Sequence, residues 1–376
     1  MAACVAIGWL VAALCLFADI RTAVSAVVEE EIFLNVTIEG RRHSLDAMIV
    51  KPAGAQGRLP VALITHGQHF DEAENKKIRA RQRIGQARDF AHRGWLAVVV
   101  IRPGFGRSSG SFVPGPDCER QDFARTLERI ALTLAAAIET IGRRPDADIS
   151  RVVAVGASVG GAAALALGAR YPKGLVAAVN LSGGIKPRTR SKSCEPGPNF
   201  AAAMRRFGAR SKIPTLWLYS ENDSYFPPSL ARALHAAYTE TGGTAELRVL
   251  PPFGTDGHQF WGMFEGRRAA LPLLDQFLRA HNLPTWDPAR LTAALAADNL
   301  SDTARADLER YFTSGPSEKA FAVSETGRTS RWWGGGELAD MREKSLASCQ
   351  ERAKIPCRIL LENFDLVGSK LPQSAR

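Results

Sequence analysis

No apolar run in these 376 residues reaches the roughly 20 positions that a spanning helix needs, so a multi-span membrane protein is excluded. No internal repeat recurs and no tract is of low complexity, which excludes solenoids and repeat arrays. No cysteine pair stands at zinc-ligand spacing beside a histidine, so no metal is expected. No nucleic-acid motif accompanies the positive surplus of 48 Lys and Arg over 38 Asp and Glu. The net +10 therefore reads as a solubilising surface, with no nucleic acid among the expected partners. Hydrophobic residues at 45% and charged residues at 23% are ordinary globular usage, which excludes global disorder and collagen. The length suits one large domain plus an extra module.

Residues 1–26 read as a signal peptide. Val5 to Phe17 is a dense apolar run inside an uncharged stretch from Ala2 to Ala18, followed by Val24 and Ala26 at the cleavage positions. The usual positive residues before the run are missing. The protein is expected to be exported, periplasmic or secreted, with no stable membrane span after cleavage. An uncleaved N-terminal membrane anchor is the alternative. Removing the signal leaves four cysteines, Cys118, Cys194, Cys349 and Cys357, an even count that favours disulfides in an exported chain. Cys349 with Cys357 is the nearer pair and Cys118 with Cys194 its complement. Four cysteines allow three pairings, and the spacing does not choose among them.

From Ile32 to Val50 two strands around Gly40 open the chain. Buried runs then alternate with helical segments: strands at Leu59–Thr65, Trp95–Ile101, Arg151–Val155, Leu175–Leu181, Pro214–Ser220 and Ala245–Leu250, and helices at Ala73–His92, Phe123–Ile141, Ala162–Arg170, Pro228–Thr239 and Arg267–Ala280. Apolar strands alternating with helices predict an α/β class with a mostly parallel sheet covered on both faces. The rhythm changes after Leu283. Asp287-Pro288 and Ser301-Asp302 start helices, Lys319–Ser324 and Arg358–Leu361 read as strands, and Leu338–Cys349 reads as a helix. The predicted division is 27–284 for the catalytic domain and 285–376 for a small C-terminal α+β module of unknown function. Trp332-Trp333 reads as packed core or as an exposed binding pair.

The chemistry centres on Gly156-Ala157-Ser158-Val159-Gly160, a G-x-S-x-G between a strand and a helix. A sharp turn there lifts the serine hydroxyl above the sheet, and the positions two before and two after have room only for glycine. Serine needs a base oriented by an acid. Asp223, in the loop after Leu216–Tyr219, is the expected acid, with Glu221 its rival. His258, after the next strand, is the expected base. Asp256 is expected to shape that loop. The backbone N–H groups of Val159 and Gln68 are the expected oxyanion donors. His66 is expected to brace the Gln68 loop rather than act as a base.

With His66-Gly67, Arg102-Pro103-Gly104-Phe105-Gly106-Arg107-Ser108-Ser109-Gly110, the elbow at Ser158, Asp223 and Asp256-Gly257-His258, residues 30 to 283 resemble the α/β-hydrolase superfamily. The resemblance is closest to its dienelactone-hydrolase-like and acyl-peptidase-like esterase branch. It implies the α/β-hydrolase fold, two-step acyl transfer through an acyl-Ser158 intermediate, a small-molecule ester as substrate, and no cofactor. Dienelactone hydrolases proper carry a cysteine nucleophile, where this chain has Ser158. A serine peptidase of the oligopeptidase-like type and a catalytically silent binding protein are the alternatives. The connection from 182 to 213 is rich in base (Lys186, Arg188, Arg190, Lys192, Arg205, Arg206, Arg210, Lys212) and reads either as a basic lid favouring anionic esters or as a solvated loop.

Overall fold

The computed structural model describes residues 27–170, 172–189, 193–313 and 316–367. The expected signal segment 1–26 lies outside them, as do Arg190 and Lys192. The described chain opens with β1 (Val27–Ile38) and β2 (Arg41–Pro52), paired antiparallel from Val27 opposite Pro52 to Ile38 opposite Arg41. Glu39 and Gly40 close the hairpin at φ 47° and 78°, the positive values that a two-residue turn of matching twist requires. On β1, Leu34 and Val36 point inward while Phe33, Asn35 and Thr37 face solvent, as an edge strand with one wet face demands.

Then follow β3 (Leu59–Thr65), β4 (Leu96–Val100), β5 (Ala147–Ala157), β6 (Leu175–Leu181), β7 (Thr215–Ser220) and β8 (Ala245–Leu250). They complete a sheet of order β1-β2-β4-β3-β5-β6-β7-β8, parallel from β4 to β8. The connecting helices are α1 (Glu72–Lys77), α2 (Ile84–Ala91), α3 (Phe123–Ile141), α4 (Val159–Arg170), α5 (Pro198–Arg210), α6 (Pro228–Thr239) and α7 (Phe264–Ala280). One sheet face packs on Leu134, Leu165, Phe207 and Leu234 from α3, α4, α5 and α6. The other packs on Phe90 of α2 and Leu271, Leu274 and Phe277 of α7. Covered on both sides, β4 is apolar along its whole length, Leu-Ala-Val-Val-Val. This is the α/β-hydrolase fold. The strand order reverses about β3, which opens a crevice at the carboxyl ends of β3 and β5.

The segment 73–92 is not one helix. Between α1 and α2 lies a 3₁₀ turn, Ala80–Arg83, preceded by extended Ile78 and Arg79. The cause is tertiary. Asn75 exchanges hydrogen bonds with the His69 backbone (2.8 and 3.0 Å), and its carbonyl takes the N–H of Gly106 (3.0 Å). Arg79 Nη1 donates to the carbonyls of Lys76 (2.6 Å) and Ile78 (2.8 Å), occupying acceptors that a continuing helix would use.

The C-terminal part holds α8 (Pro288–Ala296), α9 (Asp302–Thr313), β9 (Lys319–Ser324), β10 (Ser330–Gly334), α10 (Leu338–Ala353), β11 (Cys357–Glu362) and β12 (Asp365–Leu366), with an antiparallel sheet of order β10-β9-β11-β12. Asp287 caps α8 through Ala289 N–H (2.9 Å), and Ser301 Oγ accepts from Ala304 N–H (3.3 Å). Strand β10 is additional to the sequence reading. It separates the tryptophan pair, because neighbours on a strand face opposite ways. Trp332 packs edge-on against Tyr311, and Trp333 is 49% exposed. This part grips α2 and the residues just beyond it. Asp89 accepts from Ser317 N–H (2.6 Å), His92 meets Glu318 (2.8 Å), and Arg88 meets Glu337 (3.0 Å), while Arg267 of α7 holds Asp89 from the large unit (3.0 Å).

Disulfides join Cys118 to Cys194 and Cys349 to Cys357. Among the described residues no helix is long and apolar enough to cross a membrane, and no cluster of His, Cys, Asp and Glu is arranged to hold a metal ion.

Candidate active site

Strand β5 runs straight into α4, and Ser158 is the residue at the bend. Its φ of 54° is the left-handed conformation, costing an L residue about 1–2 kcal/mol, and here it lifts the side chain clear of both elements. The surroundings dictate glycine. A Cβ on Gly156 would lie 2.1 Å from the Gly160 carbonyl oxygen, and one on Gly160 would lie 2.7 Å from that of His66. Ser158 N–H donates to Leu181 O (2.9 Å), tying the bend to β6.

Asp223 and His258 come from the loops after β7 and β8. Asp223 is 3% exposed, and its Oδ1 accepts the N–H groups of Tyr225 (2.9 Å) and Phe226 (2.8 Å), which fixes the carboxylate plane. His258 Nδ1 lies 3.0 and 3.1 Å from its two oxygens, and Nε2 lies 3.1 Å from Ser158 Oγ. A carboxylate only accepts, so the proton sits on Nδ1 and Nε2 is left to accept from the serine hydroxyl. Tyr225 and Phe226 flank the imidazole, with ring centroids at 4.6 and 5.4 Å. Asp256 holds the histidine loop instead of the ring, accepting from His258 N–H (2.9 Å), Ser224 N–H (3.1 Å) and Ser224 Oγ (2.7 Å). Those bonds keep its carboxyl below the ordinary value of 3.8, against its partial burial. The rival Glu221 side chain is exposed.

The loop after β3 passes against the serine: a Cβ on Gly67 would lie 3.0 Å from Ser158 Cβ. The Gly67 carbonyl accepts from Arg102 Nη2 (3.0 Å) and His66 Nδ1 (2.7 Å). A trans peptide carries its N–H on the edge opposite its carbonyl, so these two donors also fix the direction of the Gln68 N–H. The His66 tautomer follows from its other contact, since Nε2 accepts from Arg102 N–H (3.0 Å). Burial, with Arg102 beside it, holds the His66 pKa well below 6.5, so the ring is a neutral brace. Arg102 also donates to His66 O and to Thr65 Oγ1 (3.2 Å). Sequence reading placed Arg102 in its loop motif without seeing this clamp. Val159 opens α4, where the first-turn amides have no helical carbonyl partner.

Ser158 lies between two depressions. The smaller is lined by Phe70, Val159, Ile185, Lys186, Arg188 and Phe226. The larger is lined by Gln82, Arg83, Gln86, His258, Gln259 and Trp261. Gln68 and Tyr225 border both. Of the basic connection, Lys186 and Arg188 reach the site and are paired, with Glu195 (3.0 Å) and Glu72 (3.4 Å). Arg206 and Arg210 on α5 instead pair with Glu128, and Arg205 with Glu240, away from the crevice.

Residues 40–198, under half of the chain, match the family model described as X-Pro dipeptidyl-peptidase (S15 family). No curated protein matches the chain. Among solved structures, a Klebsiella pneumoniae protein assigned as a dienelactone hydrolase is 18% identical, with a TM-score of 0.46, over 68% of this chain and 99% of its own. The acylaminoacyl peptidase of Pyrococcus horikoshii is 15% identical, with a TM-score of 0.48, over 69% of this chain and 43% of its own. Acetyl xylan esterase 1 from Thermoanaerobacterium sp. JW/SL YS485 is 16% identical, with a TM-score of 0.41, over 63% of this chain and 84% of its own.

Proposed function

We propose that this chain, an α/β-hydrolase by fold, is a serine hydrolase that cleaves carboxylic esters through an acyl-Ser158 intermediate. The observation that carries the reading is the continuous contact from Asp223 through His258 to Ser158, with Nε2 at 3.1 Å from Oγ. His258 takes the hydroxyl proton as Oγ attacks the ester carbonyl carbon. The oxyanion is met by the N–H groups of Val159 and Gln68. As the tetrahedral species collapses, the C–O bond to the alcohol breaks and the imidazolium returns its proton to that oxygen. Water activated by His258 then hydrolyses the acyl-enzyme, restoring the hydroxyl. The departing oxygen must reach Nε2, so the leaving half occupies the larger depression, which His258 lines, and the acyl half the smaller, more apolar one.

Labelling by a fluorophosphonate probe tests the reading. Wild type reacts, and Ser158→Ala does not and loses on the order of 10⁶-fold in kcat. Failure of the wild type to label, with no ester hydrolysed, would point to a silent binding protein. The same triad cleaves amides, and the family match over 40–198 favours a peptidase as the second reading. A panel of short- and long-chain esters beside peptide amides separates the two. Two disulfides support export, since such bonds persist in oxidising compartments. The proposed organisation remains a signal at 1–26, a catalytic unit at 27–284 and a fastened module at 285–376.

A further inference from the structure

The charges around Ser158 are unevenly compensated. In the smaller depression the two cations are neutralised by Glu195 and Glu72, and each also lies over an aromatic ring, Lys186 over Tyr225 (5.7 Å) and Arg188 over Phe70 (5.1 Å). In the larger one Arg83 is the lone permanent charge, on a lining that also holds His69, His258, Tyr225 and four glutamines but no Asp or Glu. Among the described residues no carboxylate lies within ion-pair distance of Arg83. Burial alone lowers its pKa, to about 10, with no acid countering it. Arg83 is half-buried. Beneath the serine loop sits a fully buried guanidinium, Arg102, lowered to about 9 by burial and by the charge of Arg83. Its hydrogen bonds go to Thr65 and to the backbone carbonyls of His66 and Gly67, which are neutral partners. A half-buried and a buried cation thus lie close together, and among the described residues neither has a carboxylate within ion-pair distance. Such an arrangement costs stability unless something else is gained from it.

We propose that Arg83 is a subsite for an anionic oxygen group, a carboxylate above all, carried on the leaving half of the substrate. Arg83 lines the same depression as His258, the group that must protonate the departing oxygen. An entering carboxylate replaces the missing counter-charge, and the planar guanidinium fork offers paired N–H donors to its two oxygens. Gln82 and Gln259 lie on the same lining as neutral donors. Because Lys186 and Arg188 already have acid partners, anion preference belongs to this side of the cleft and not to the basic connection. The inference rests on the serine-hydrolase reading.

The test uses two esters with one acyl group, acetylated 4-hydroxybenzoate and its methyl ester, so that the leaving half is charged in one and neutral in the other. Wild type is expected to favour the acid by about tenfold in kcat/KM at low salt, mainly through KM, with the preference shrinking as salt rises. Arg83→Gln should lower the acid-to-ester ratio about tenfold, to the value set by the intrinsic reactivity of the two phenols. Arg83→Lys should restore part of it by keeping the charge without the fork. Far-UV circular dichroism and the melting curve establish that each variant is folded. Equal ratios in wild type and Arg83→Gln overturn the subsite, as does a wild type that prefers the neutral ester. Fluorophosphonate labelling of Ser158 is read in parallel. Labelling without a preference refutes the subsite alone, whereas no labelling and no hydrolysis refute the hydrolase reading beneath it.

Discussion

Replacing Asp223 by asparagine isolates the orienting role of the acid from its role in the fold. In wild type one carboxylate oxygen accepts three donors: Tyr225 N–H (2.9 Å), Phe226 N–H (2.8 Å) and His258 Nδ1–H (3.0 Å). An asparagine must turn its carbonyl oxygen toward the two backbone donors, because an NH₂ group there would leave two buried N–H groups facing donors. Its NH₂ then occupies the position of the second oxygen, 3.1 Å from Nδ1. The NH₂ competes for Nδ1 with the oxygen at 3.0 Å, and the tautomer in which Nδ1 accepts carries the ring proton on Nε2, pointing at Ser158 Oγ. The base is lost while the loop keeps its backbone hydrogen bonds. A wrong tautomer of this kind is worth about 10⁴ in kcat, or roughly 5.5 kcal/mol of transition-state stabilisation. The assay is kcat on a short-chain ester and the rate of fluorophosphonate labelling, both of which should fall together, beside a melting temperature that moves by only a few degrees. Asp223→Asn within tenfold of wild type would refute the argument and return attention to Glu221. Glu221→Gln should be silent.

Two further outcomes follow from the scaffold. In the chain-entropy picture, opening the Cys118–Cys194 bridge, which closes a loop across 76 positions, costs about 4.5 kcal/mol, against about 2.5 for Cys349–Cys357 across 8. Serine pairs at each bridge, compared by denaturant melts, should keep that order. Asp146, hydrogen-bonded to Arg144 (2.9 Å) and Lys51 (2.7 Å), has its pKa lowered from 3.8 to about 2. Its depressed folded pKa means a stabilising contribution that is full above pH 3.8 and disappears as pH falls toward 2. In Asp146→Asn the loss of stability between those values should be shallower than in wild type, and parallel curves would refute the assignment.

The strands were legible because a sheet covered on both faces must be apolar without interruption, as β4 is. The elbow was legible because its pattern lies within five consecutive residues: Gly156 answers to the Gly160 carbonyl four positions on, although Gly160 itself answers to the distant His66 carbonyl. Positions whose conformation is set at long range were not legible. The break at Ile78 and Arg79 carries no glycine or proline; it comes from Asn75 bonding to His69 and Gly106. Strand β10 is five residues long and exists because β9 offers it a ladder. Arg83 sits within an ordinary run of basic and polar residues, and nothing in spacing distinguishes it from Arg81, which meets Glu31 at the surface (3.2 Å). The basic connection read as one feature, but helix geometry turned the α5 arginines outward and left Lys186 and Arg188 at the crevice.

Helix α2 begins at the Arg83 guanidinium and ends among contacts to the C-terminal module. Arg88, Asp89 and His92 hold Glu337, Ser317 and Glu318 along less than two turns. The lining of the larger depression and the fastening of the C-terminal part are therefore opposite ends of one short rod. A cut after residue 284 would remove one set of moorings from the segment that lines the larger depression and leave it held by Arg267, Trp261 and Asp275.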